Sequence, residues 1–144
     1  MLTQTHAIAG AATLVALIAS VVLHCMAATA LMRRFDGTSL HQSLCMVLMV
    51  LGLFVAHVIE IWLFGLVSWT LAQIEGAGSV TGGHVSGVMD YIYFSAVTYT
   101  TLGYGEVYPV GPIRFIFGVE ALIGFMLITW SASVTFLQMQ RFWR

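Results

Sequence analysis

Thr100-Thr101-Leu102-Gly103-Tyr104-Gly105-Glu106, or TTLGYGE, decides how the rest of this 144-residue chain is read. Two glycines flank a tyrosine behind a pair of threonines, and long apolar runs lie on either side. Glycine reaches left-handed backbone angles at little cost, so Gly103 and Gly105 let successive carbonyls turn to one side. Irregular backbone at membrane depth is tolerated only where protein buries it or where it lines an aqueous path. A segment of this kind can present backbone carbonyls of Thr101, Leu102, Gly103, Tyr104 and Gly105 to a partly dehydrated cation, with the Thr101 hydroxyl completing the innermost cage.

The surroundings demand a bilayer. Hydrophobic residues make up 60% of the chain and charged residues only 8%. A soluble domain of this length cannot hide so much apolar surface. A net charge of −1 and the lack of any lysine give no nucleic-acid signal. Three runs approach or exceed the roughly 20 residues a spanning helix needs: Ala7 to Met32, Leu44 to Gln73 and Ile113 to Gln138. The segment 74–89 is rich in Gly, Ser and Thr and is expected to be an exposed loop. Residues 90–100 are too short to span and suit a re-entrant helix, with Asp90 as its N-cap. The expected fold is an all-α membrane protein with three transmembrane helices, a re-entrant helix and a carbonyl-bearing loop.

Arg33 and Arg34 follow the first span, and Arg141 and Arg144 follow the third. The positive-inside rule then places both in the cytoplasm, with the N-terminus and the loop before Pro112 outside. Met1 to His6 carries no positive charge, so the first span is expected to be retained rather than cleaved as a signal peptide. Cys25 and Cys45 are expected to be small buried hydrophobes without a disulfide. No span carries the repeated arginines of a voltage sensor. No ligand domain follows the third span here, so regulation is expected through the filter, the lipid, an inner gate or a partner.

Residues 90–124 resemble the pore module of potassium channels, in which a pore helix leads to a filter and then to a pore-lining inner helix. The T-x-G-Y-G pattern is met by Thr101, Gly103, Tyr104 and Gly105. Thr100 precedes it, and Glu106, Tyr108 and Pro109 follow. The resemblance extends to Arg114 and to Gly124 at the inner-helix hinge position, and with the outer helix it covers about two thirds of the chain. It implies a homotetramer that conducts K+ passively through a four-fold filter, with no catalysis and no organic cofactor, in a bacterial plasma membrane. Residues 1–43 would be an extra transmembrane helix and cytoplasmic loop. Residues 44–144 would be the module: outer helix 44–73, loop 74–89, pore helix 90–100, filter 101–105 and inner helix 113–138.

Two departures stand out. The acid after the filter is usually aspartate and here is Glu106. The pore-helix tryptophan or acid that often braces it is replaced by the stretch containing Tyr93, Phe94 and Val97. Thr100, Glu106, Tyr93 and Val97 are the expected supports of the filter. All five tyrosines fall between Tyr91 and Tyr108, which fits either an aromatic cuff or a headgroup-level belt.

Helical spacing from Gly124 nominates Ile128, Ala132 and Phe136 as pore lining, flanked by Ser131 and Thr135. Phe136 can gate by dewetting or simply pack. Glu75, Asp90 and Glu106, repeated around an axis, would make an acidic vestibule that concentrates cations. Ionisable residues in a span are functional candidates by default. His24, His57 and Glu60 fit a pH sensor or a metal site, or more plainly a hydrogen-bonded joint holding the first helix to the rest. Glu120 is expected to brace the back of the filter, with Arg114 as its partner or else facing headgroups. Rival readings are a potassium transporter subunit, a non-conducting channel subunit, and a small metal or haem membrane protein built on His24, His57 and Glu60.

Overall fold

Three helices in this computed structural model are long and apolar enough to cross a bilayer: Gln4–Phe35, Gln42–Ala72 and Arg114–Arg141. The structure describes residues 2–36 and 41–142. Met1 and Arg144 lie outside the described residues, as do residues 37–40 of the first connection. The elements in order are α1 (Leu2–Phe35), α2 (Gln42–Ala72), β1 (Ser79–Thr81), α3 (Val88–Tyr99), β2 (Tyr108–Val110) and α4 (Arg114–Phe142). The chain is thus an all-α membrane fold with a two-stranded clip.

Each long helix outruns its apolar run because polar residues at the ends still satisfy helix geometry. Arg33 and Arg34 occupy the last turn of α1, where cations complement the exposed carbonyls. The helix α2 starts before Leu44 because His41 caps it, its Nδ1 accepting the Ser43 N–H at 3.3 Å. Pro112 stands just before α4, where a missing N–H costs nothing, and the Ile113 N–H there donates to the Ala77 carbonyl at 2.9 Å.

Small residues let the helices approach closely. On α1, Ala9, Thr13, Ala16, Ser20, His24 and Ala28 form one buried stripe at the three- and four-residue spacing of a helix face. Such stripes are how helices pack in lipid, where no hydrophobic force drives them together. Cys25, one position off this stripe, is exposed rather than buried, while Cys45 is buried. At Gly65 of α2 a methyl would lie 2.8 Å from the Ile92 Cα, so only glycine lets α3 lie there.

The interior is layered along the length of the long helices. One apolar cluster gathers Ala16, Phe64, Tyr91, Phe94, Ile113 and Phe117. A second, nearer Arg33, gathers Ala28, Phe35, Cys45, Met49, Leu53 and Val134. Between them in the order of every long helix lie the buried polar residues His24, Glu60 and Ser131.

The segment 74–89 is more than a loop. Within it β1 pairs antiparallel with β2, placing Ser79 opposite Val110 and Thr81 opposite Tyr108. The crossing is tight: a methyl on Gly111 would sit 2.9 Å from the Gly78 Cα, and both glycines have positive φ. Such short strands carry too little alternation to be seen in sequence. The pairing ties the chain before α3 to the chain after the TTLGYGE stretch.

Candidate functional site: the carbonyl strand and its supports

The helix α3 starts at Val88, not Asp90, and Asp90 is not its N-cap. Gly87 holds that position, and the Asp90 carboxylate reaches back to accept the N–H groups of Ser86 at 2.7 Å and Gly87 at 2.9 Å. These hydrogen bonds hold the Asp90 carboxyl below its usual range. An acid in the first turn also faces the positive end of the helix.

The other end of α3 generates the strand. The helix stops at Tyr99, and the N–H groups of Thr100 and Thr101 bond back to Ala96 O at 3.2 Å and Thr98 O at 2.9 Å. The next two N–H groups, of Leu102 and Gly103, converge on the Val97 carbonyl at 3.0 and 3.4 Å. The Thr100 hydroxyl turns inward to the Ala96 carbonyl at 2.8 Å. The last carbonyls of α3 are thereby capped by the strand itself.

Positive φ then recurs at every second residue: Thr101 at 58°, Gly103 at 58° and Gly105 at 81°. Alternating the sign of φ in this way offsets the usual strand alternation, so successive carbonyls can share a side. Among the described residues no hydrogen bond ends on the carbonyls of residues 101–105. Glycine supplies two of these angles freely. Thr101 is β-branched, and a left-handed angle there is a true outlier, of the kind kept where surrounding structure imposes it. Strand residues 101–106 are all exposed in the single chain, including Leu102 and Tyr104.

The end of the strand away from α3 is held by a side chain. The Tyr93 hydroxyl donates to Glu106 Oε1, so α3 offers the acid a tyrosine as partner in place of a tryptophan or an acid. The bond to Glu106 raises the Tyr93 pKa above its ordinary value. Tyr91 is buried and its hydroxyl accepts the Val80 N–H at 3.3 Å, linking α3 to β1. Tyr104 and Tyr108 are exposed. Within the single chain the five tyrosines thus make different contacts.

Two contacts fix α3 from behind. A methyl at Gly124 of α4 would overlap the Tyr99 carbonyl oxygen and lie 2.9 Å from the Tyr99 ring, so Gly124 is where α4 touches the end of α3. The buried Glu120 meets the Ser95 hydroxyl, which also donates to the Ile61 carbonyl at 2.8 Å. Arg114 is exposed and does not pair with Glu120. On α4, Ile128, Ala132 and Phe136 are exposed in the single chain, as Gly124 is not. Glu75 and Glu106 are exposed and Asp90 is half-buried.

His24, His57 and Glu60 do come together. His24 Nδ1 lies 3.0 Å from Glu60 Oε1, and His57 Nδ1 lies 3.2 Å from Glu60 Oε2. Two further residues complete the group. The Tyr99 hydroxyl donates to Glu60 Oε2 and sits 2.9 Å from His57 Nδ1. Ser131 Oγ lies 3.0 Å from His57 Nε2 and 3.2 Å from His24 Nε2. Tyr99 and Ser131 carry no local signal for this role. Only the combined register of four helices brings them here.

A family model described as "Ion channel" matches residues 43–141. No curated protein and no solved structure matches the chain.

Proposed function

The chain belongs to this ion channel family, and we propose that it is a potassium-selective channel. The observation that carries the reading is the strand at residues 101–105, with left-handed angles at every second residue and no internal partner for its carbonyls. Oxygens so arranged can replace the hydration shell of an ion that enters without its water. The ion is K+, the permeant substrate, and it meets the carbonyls of Thr101, Leu102, Gly103, Tyr104 and Gly105 together with the Thr101 hydroxyl. Thr100, Val97, Tyr93 and Glu106 support that strand.

One strand cannot surround an ion, so the working unit is a closed homotetramer. A single chain leaves Leu102 and Tyr104 exposed beside a cavity of about 350 Å³ lined in part by Tyr93, Val97 and Thr101. Neighbouring copies would cover that surface. The C-terminal end of α3 points its partial negative charge at the inner end of the filter, favouring a cation there. Gly124 acts as the hinge of α4, and Ile128, Ala132 and Phe136 line the inner pore. The extra helix in residues 1–43 lies outside the pore module of residues 44–144. Conduction is passive, in a bacterial plasma membrane, with the N-terminus outside and the C-terminus in the cytoplasm.

Flux from proteoliposomes under matched potassium and sodium gradients tests the reading. Potassium efflux that barium blocks, with little sodium flux, is the expected result. Equal sodium flux would leave an unselective channel. Absence of flux alone, with loss of current when another channel is co-expressed, would identify a non-conducting subunit instead.

A further inference from the structure

The filter makes no use of the polar layer of His24, His57 and Glu60, yet no other described group concentrates so many metal-ligating atoms. One donor atom from each of these residues lies within 4.8 Å of the others. His24 and Glu60 are fully buried, and His57 is 16% exposed. They come from two helices, α1 and α2. Tyr99 of α3 and Ser131 of α4 close the group from the remaining sides.

Both Nδ1 atoms face the Glu60 carboxylate, and both Nε2 atoms face one Ser131 hydroxyl. A cation fits among the Nδ1 atoms and the carboxylate. The Nδ1 lone pairs and a Glu60 oxygen would bind the ion while each ring carried its proton on Nε2, and both Nε2–H groups would donate to the two lone pairs of Ser131 Oγ. A metal-bound histidine commonly has its second nitrogen held by just such an acceptor.

We propose that His24, His57 and Glu60 form a binding site for a divalent metal ion of the zinc class. Two imidazoles and one carboxylate are the donor set of zinc sites that keep a fourth position open. The Tyr99 hydroxyl, beside His57 Nδ1 and Glu60, or a water would take that position. Calcium and magnesium ask for more oxygens than this site offers, and copper(I) asks for sulfur. Cys25 is exposed and outside the group. A cavity of about 280 Å³ lined by Phe54, His57, Ile128 and Ser131 gives access from the side of α4. The bound ion staples α1 to α2 and touches Tyr99, the last residue of α3 before the filter. This site stands independently of which ion the filter selects.

Cobalt(II) is the probe, because its visible spectrum reports ligand type and geometry. The full chain is purified in detergent with the exposed His6, His41 and His84 replaced by Gln, and titrated with cobalt and then with zinc. One cobalt per chain with a four-coordinate nitrogen–oxygen spectrum, displaced by zinc, is the expected result. The variants His24→Gln, His57→Gln and Glu60→Gln should each weaken zinc binding by more than about 100-fold. Ser131→Ala, which keeps all three ligands, should weaken it by about 10- to 100-fold, as loss of an orienting partner does. Wild-type ligands that give no four-coordinate spectrum, or zinc affinity unchanged in Ser131→Ala, would overturn the site. The spectrum of the unsubstituted ligand set decides the matter even where a ligand variant does not fold.

Discussion

The strand at residues 101–105 and the layer of His24, His57, Glu60, Tyr99 and Ser131 are both polar, and they are built on opposite plans. The strand is exposed, local and unsatisfied: five consecutive residues whose carbonyls meet no donor within the described chain. The layer is largely buried and drawn from four helices, and its side chains answer one another. The binding proposed for the strand would rest on what it leaves unpaired. The layer must exchange existing contacts for any ion it binds. The two plans meet in Tyr99, whose hydroxyl belongs to the layer and whose carbonyl sits against Gly124 at the root of the strand.

The contrast can be broken at the layer first. Glu60→Ala removes the acceptor of Tyr99 and both histidines, and loss of one partner from a buried charged group typically costs about 3–5 kcal/mol. Denaturant unfolding in detergent should show that loss. A variant as stable as the parent would mean the layer is not a structural unit. Gly124→Ala comes next. Its methyl meets the backbone of Tyr99, and overpacking of this kind costs about 1–3 kcal/mol. Melting temperature and potassium flux should fall together, because the same contact positions the strand.

Gly103→Ala separates the two regions. A side chain there meets no atom within 4 Å, so the penalty is the left-handed angle alone, about 1–2 kcal/mol. Flux should fall by at least about tenfold, the equivalent of 1.4 kcal/mol, while zinc binding at the layer stays unchanged. A parallel loss of zinc would show that the regions are not independent. The smallest effect is expected from Tyr93→Phe, which frees Glu106 at the end of the strand away from α3. The fold should persist, with faster decline of current during sustained conduction. The bond has a pH signature too. Tyr93 donates while neutral, so its bracing is intact below the ordinary tyrosine range near 10. It is lost only as pH rises through the raised Tyr93 value. Ultraviolet absorbance of the tyrosinate should show a late-titrating component that Tyr93→Phe removes.

What could be read in the sequence was whatever is written in consecutive residues. The three spans are legible because lipid requires long unbroken apolar runs, and TTLGYGE is legible because its glycines and threonines are adjacent. His24, His57 and Glu60 were legible as a cluster, because His57 lies one turn before Glu60 and His24 falls at comparable depth on the first span, and the structure brings all three together. Tyr99 and Ser131 were invisible in that role, because it depends on the relative register of the helices, which no local pattern records. The expected N-cap was placed three residues late: the Asp90 carboxylate caps α3 from inside the first turn, while Gly87 supplies the cap geometry. The β1–β2 clip escaped notice because three-residue strands leave no periodicity. The positive φ of Thr101 had no signal at all, since a β-branched residue argues against it.

The shared Val97 carbonyl has a consequence for how this chain can vary over generations. At the end next to α3 the strand is moored by backbone bonds from Leu102 and Gly103 to Val97, and only proline at those positions would remove the N–H groups that make them. At its other end the mooring is a pair of side chains, Tyr93 and Glu106, which single substitutions can strengthen, weaken or delete. Inheritance therefore has a free hand at one end of the strand and almost none at the other. Divergence among related chains should accumulate at the end braced by Tyr93 and Glu106, while the end anchored on Val97 is handed down intact.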